Sequence, residues 1–175
     1  VALFLMLLAA AQAFPERSMR SSWASTALMP GLPGQSNHTD LQPNHALTAG
    51  ELAVATNVDV VGNQTITVLR VALPKSGTTS VRIPGSDIVP KPGEYLASPA
   101  LAKRIASLPA DQLGDRYGKQ VGVLSPEAVE GPDSLVAVVG TDLGTVATSN
   151  FYIPPQVVTS FQGIAYENEA YRIAP

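Results

Sequence analysis

The sequence predicts an α+β fold: a mixed or mainly antiparallel sheet with short helices, preceded by the end of a transmembrane helix. Three observations predict it. Period-two alternation sets in at Glu51, a capped helical pattern begins at Ser98, and Val1 to Phe14 is an apolar run without charge. Fifteen prolines and 14 glycines in 175 residues cut the rest into short elements, so long helices are not expected. The length suits one domain.

The apolar run, VALFLMLLAAAQAF, has Gln12 as its polar residue. At about 1.5 Å per residue it reaches about 21 Å, short of the roughly 20 residues that a spanning helix needs. Three readings fit it: a membrane helix that continues upstream of Val1, a signal peptide cleaved at Ala11-Gln12-Ala13, or a buried helix of a soluble domain. We take the first, with Pro15 as a tolerated kink and residues 1–27 as the helix end and its extension. Arg17 and Arg20 weigh mildly against an outward-facing flank by the positive-inside rule. Residues 28–50 are rich in proline and glycine and read as a loop or linker, leaving 51–175 as an extracytoplasmic α+β domain.

Within that domain Leu52, Val54, Thr56, Val58 and Val60 share one face of a strand, with Glu51, Asn57 and Asp59 on the other. Gly62-Asn63 is a two-residue hairpin signal, both residues accepting positive φ. Thr65 to Leu73 is apolar on both faces, as an inner strand requires. Pro74 to Pro92 is punctuated by turn residues and holds at most one short strand, around Val81 to Ile83. Ser98-Pro99 reads as N-cap and first helical position, and Leu101, Ile105 and Leu108 follow at helical spacing. Pro109 to Leu113 is a further helical turn stopped by Gly114. Strands are expected at Gln120 to Leu124, Leu135 to Val139 and Val157 to Phe161.

Composition narrows the function. Net charge is -3, and no Lys or Arg lies between Arg20 and Arg70, so no basic stripe tracks a nucleic-acid backbone there. The absence of cysteine removes thiol catalysis, disulfides and cysteine-bound zinc. His38, Asp40 and His45 form an H-x-D-x4-H cluster, but the spacing is not that of a recognised metal motif, and they read as solvated loop residues. PKSGTTS, with Ser76, Thr78, Thr79 and Ser80, lacks the glycine bracket and lysine of a phosphate loop and reads as a surface turn. No G-x-S-x-G elbow supports a serine hydrolase. Asp111 with Asp115, and Glu127 with Glu130, are spaced as exposed charges rather than an acid/base pair. Asn37-His38-Thr39 and Asn63-Gln64-Thr65 match the glycosylation sequon. Phe151, Tyr152, Phe161, Tyr166 and Tyr171 gather in the last quarter, as core packing or as a partner surface.

One stretch carries a family resemblance. Pro92, Gly93, Glu94, Ser98, Pro99, Ala100 and Leu101 form P-G-E-x-x-x-S-P-A-L. Asp111, Gln112, Leu113, Asp115, Arg116, Tyr117 and Gly118 form D-Q-L-x-D-R-Y-G, and Pro132, Asp133, Leu135 and Val136 form P-D-x-L-V. In this order they resemble the large extracytoplasmic domain of actinobacterial ABC transporter permeases of the FtsX-like (MacB-like) family. The likeness covers about a third of the chain directly, and residues 28–57 have no counterpart in it. Its motifs are structural, and it implies no catalytic residue, cofactor or metal. It implies a domain outside the cell membrane that transmits motion from a separate cytoplasmic ATPase, through the rest of the permease, to an extracellular substrate or partner. A second permease copy is a further implied partner. The alternative is a secreted binding or lipid-interacting protein released after Ala13.

Overall fold

β-Branched runs separated by tight turns build the sheet in the computed structural model, which describes residues 22–24, 37–148 and 154–161. Its strands are β1 (Asn37–Asp40), β2 (Leu52–Val61), β3 (Gln64–Ala72), β4 (Glu94–Ala97), β5 (Lys119–Val123), β6 (Val136–Gly140) and β7 (Gln156–Ser160). They form one seven-stranded mixed sheet in the order β1-β7-β2-β3-β6-β4-β5. β3 with β6 and β4 with β5 run parallel, and the other neighbours run antiparallel. Two short helices, α1 (Pro99–Ser107) and α2 (Leu143–Thr148), complete an α+β architecture.

The long hairpin of β2 and β3 turns at Gly62, whose φ is +61°, while Asn63 keeps a negative φ. Glycine alone at the first central position is the II′ arrangement, so the turn uses one positive φ where the sequence pair allowed two. Most strand boundaries fall within one residue of expectation. Pro74 to Pro92, which allowed at most one short strand, has none around Val81 to Ile83; both side chains are buried in the core from an irregular loop. Two local expectations need correcting. Gly114 does not stop the turn after α1 but opens a 3-10 helix, Gly114–Arg116, which ends at Tyr117. The stretch 28–50, read as a linker, holds β1, which pairs with β7, a strand 116 positions further on by the Asp40 and Gln156 register. Such a non-local partner leaves no mark in the local pattern. Residues 1–21 lie outside the described residues, and with them the apolar run. Among the described residues no helix is long and apolar enough to cross a membrane.

Both faces of the sheet are covered, by different means. On one face Leu52, Val54, Leu69, Val71, Leu96 and Val138 meet loop residues, including Trp23, Ile83 and Leu124. On the other, Ile66, Val68, Tyr95, Ala97 and Val139 meet Leu101 of α1 and Leu113 and Tyr117 from the turn after it. Beside this, Ala53, Ala55 and Ala72 pack on Val146 of α2. β2 shows the limits of a period-two reading. Its first half is buried on both faces, and its second half overhangs the loop-covered core, leaving Val58 64% and Val60 52% exposed. There the core face is the one carrying Asp59 and Val61.

Trp23 lies in a 3-10 helix, Ser22–Ala24, and is fully buried in the loop-covered core. Its indole Nε1 donates to the Ala128 carbonyl at 2.7 Å, and its ring meets Phe161 edge-on at 5.8 Å between centroids. A residue from the segment assigned to the membrane-helix extension is thus part of the sheet domain's core. Replacing Trp23 by Ala should lower stability by about 3–5 kcal/mol in urea unfolding, the usual cost of emptying an aromatic site in a core. A change under about 1 kcal/mol would mean that the indole is not a core element.

Candidate functional site

Several residues of the family-like pattern make contacts that join parts of the sheet. Pro92 and Gly93 form the turn entering β4; Gly93 has φ +84°, and Glu94 turns back to accept the Lys91 backbone N–H at 3.0 Å. The turn is clamped from both sides. Gly93 N–H donates to the Gly140 carbonyl at 3.3 Å, and its carbonyl accepts from Lys119 N–H at 2.8 Å. Gly118 lies so close to the Gly93 carbonyl that a Cβ there would collide with it, and its φ of +92° already suits glycine. Gly140 faces the Lys91 carbonyl in the same way.

Ser98 is the most heavily used polar group of the pattern. It is fully buried, and its Oγ accepts from Leu101 N–H at 3.3 Å as the N-cap of α1, with Pro99 at the first helical position. The same Oγ accepts from Val136 N–H at 3.1 Å and donates to the Ser134 carbonyl at 2.6 Å, tying the helix start to the entry of β6. Asp111, Gln112 and Asp115 are exposed, whereas Leu113 is buried beneath α1.

Arg116 reaches across to the hairpin. Its guanidinium Nη1 donates to Asp59 Oδ1 at 3.0 Å and Oδ2 at 3.2 Å, and to the Val60 carbonyl at 3.2 Å. Tyr117 donates its hydroxyl to Asp59 Oδ2 at 2.8 Å. Burial opposes ionisation of Asp59, but the hydrogen bonds from Tyr117, Val60 N–H and Arg116, together with the Arg116 charge, outweigh it and hold the carboxyl below its ordinary value. Burial first, and then the Asp59 bond and charge, push the Tyr117 phenol well above its ordinary value. Asp59 belongs to none of the local motifs. Its partners lie 57 and 58 residues away, and only its place on the polar face of β2 marked it.

The other candidates separate. His45 Nε2 lies 3.3 Å from Glu51 Oε2, a carboxylate that the Thr48 backbone N–H, first among several bonds, holds below its ordinary value. Asp40 is exposed, and the His38 side chain lies outside the described residues. Among the described residues no group of three His, Cys, Asp or Glu is placed to hold a metal ion. PKSGTTS is a turn, closed by Gly77 N–H on the Pro74 carbonyl at 2.8 Å. Of the late aromatics, Phe161 packs on Trp23, and Phe151, Tyr152, Tyr166 and Tyr171 lie outside the described residues.

Among the described residues the two larger of the surface clefts stand out. One, of about 740 Å³, is a broad groove between the 82–88 loop and β5, with Ile88 and Val123 partly exposed in it. The other, of about 670 Å³, is more enclosed and lies past the carboxyl ends of the parallel pair β3 and β6. In comparisons with known proteins, no family model, curated protein or solved structure matches the chain.

The Asp59 network sets a pH dependence. Its pKa is lower folded than unfolded, so the contribution is complete above the unfolded value of 3.8 and is lost as pH falls through the folded value. Asp59→Asn should cost about 1–2 kcal/mol at neutral pH, after allowance for partial exposure, and the two proteins should converge in urea midpoint as the solution is acidified. A constant difference across the acid range would contradict the ionised network.

Proposed function

We propose that the chain is the extracytoplasmic domain of an ABC transporter permease of the FtsX-like (MacB-like) kind, anchored at the cell membrane. A separate cytoplasmic ATPase supplies the work, the rest of the permease carries the movement, and this domain passes it to an extracellular substrate or partner. The domain acts as a stiff body whose orientation follows the nucleotide state, so coupling needs rigidity within it and two arrangements of its surroundings.

The observation that carries this reading is the position of the motif residues. Residues that recur in such domains are spent here on joints: Gly93 against Gly118, Ser98 against the entry of β6, and Arg116 against the Asp59 end of the hairpin. Each joint ties β4 or the α1 region to another part of the sheet. A sequence pattern kept for joints suits a part that transmits force, whereas a catalytic pattern would place nucleophiles and bases in a cleft.

The coding sequence on both sides of the codons for Val1 and Pro175 tests the reading. It should run into apolar spans beyond Pro175 and stand beside a gene for an ATPase. A stop codon directly after Pro175 would contradict it, and exported protein starting at Phe14 would favour the secreted alternative.

A further inference from the structure

We infer that the cleft past the carboxyl ends of β3 and β6 is a binding site for a small amphiphilic anion, an apolar chain ending in a carboxylate or a phosphate. The inference rests on the cleft alone and holds whether or not the chain belongs to a permease. Four segments converge there: the loop between β1 and β2, the loop after β3, the turn before β4 and the loop after β6. The exits of parallel strands splay apart, which is why ligands collect at such ends in open sheets.

The walls are apolar and anchored. Leu47 and Leu143 pack against the alanine-lined cluster at α2, and Leu73 packs against the loop-covered core. The loops carrying them are pinned as well. His45 N–H bonds to the Gln42 carbonyl at 3.1 Å across Pro43 and Asn44, whose φ of +66° gives the pattern of a type II turn. Thr141 N–H bonds to the Val71 carbonyl at 2.8 Å, holding the loop after β6 to the end of β3. Pinned walls lose little freedom on binding, which favours affinity. A cleft of about 670 Å³ lies in the range of small-molecule sites.

The polar groups select the head. Lys75 and Lys91 stand at the cleft from two different loops, and neither forms an ion pair among the described residues. Asp142 is the carboxylate on the lining, and its hydrogen bonds go to the helix start while its charge stays at the cleft. It accepts from Thr145 N–H at 2.8 Å and from Thr145 Oγ1 at 2.6 Å, which cap α2. His45 is already engaged with Glu51. Two lysines without an ion-pair partner among the described residues outnumber the one carboxylate on the lining, and this excess of positive charge beside an apolar hollow calls for one anionic group on an apolar body.

Calorimetric titration of the full chain tests this with decanoate and decyl phosphate, with decanol and inorganic phosphate as the chain and the head alone. Both chain-bearing anions should saturate one site, and decanol and phosphate should each bind about tenfold more weakly or not at all. A preference between the two anions assigns the head group. Lys75→Ala with Lys91→Ala should weaken anion binding about tenfold without changing the melting temperature, since both side chains are exposed. Ala46→Trp, which fills the cleft from an exposed position, should abolish binding. Decanol binding as tightly as decanoate, unchanged affinity in the lysine variant, or no saturable binding would each overturn the proposal.

Discussion

The buried hydroxyl of Ser98 is the constraint on which the helical side of the sheet depends. β4 must end, α1 must begin and β6 must enter the sheet at one point without water, so three sets of backbone polar groups have to be satisfied there at once. Ser98 Oγ serves two donors and one acceptor, while its backbone N–H bonds to the Val136 carbonyl at 2.8 Å and its carbonyl accepts from Ala102 at 2.9 Å. Every hydrogen-bonding group of the residue is used. A residue without a hydroxyl would leave Leu101 N–H, Val136 N–H and the Ser134 carbonyl competing for partners in a dry junction.

Around this junction the remaining braces fall into a pattern. The Gly93 turn, closed in by Gly118 and Gly140, holds β4 at its entry, as Ser98 holds it at its exit. Arg116 and Tyr117, at the far end of the turn after α1, grip Asp59 near the tip of the hairpin. Leu113 and Leu101 fill the space between. The result is a wall in which the hairpin tip, the α1 region, β4 and β6 are joined by direct contacts. On the opposite face the covering comes from loops, and Trp23 is the bolt that secures them.

The local parts of this arrangement were legible in the sequence. Alternation from Glu51, the glycine turn at residue 62 and the Ser98-Pro99 start of α1 depend on neighbours in the chain and were found within a residue or so. What escaped depends on distant partners. β1 exists because β7 offers it an edge, and its own sequence, NHTD, has no strand signature. α2 is six residues long, too short for a helical period to show, and is held by its Asp142 cap and by three alanines of the sheet. Around Val81 and Ile83 the sequence allowed a short strand without requiring one, because burial and strand formation leave the same apolar mark. For the joints, residue types were visible but not roles. Ser98 could be recognised as a cap, yet its hold on β6 spans 38 residues, and the pairing of Arg116 with Asp59 spans 57. The cleft between four loops has no sequence motif, because its lysines and leucines are brought together only by the sheet.

The central claim, that one buried hydroxyl fastens the start of α1 to β6, is tested most directly by amide hydrogen exchange in the native protein and in Ser98→Ala. The account predicts that Leu101 and Val136 amides lose protection by a hundredfold or so in the variant, about 3 kcal/mol of local stability, while amides in the middle of the β2–β3 hairpin keep theirs. Unchanged protection at Leu101 and Val136, or an equal loss at every strand, would contradict it.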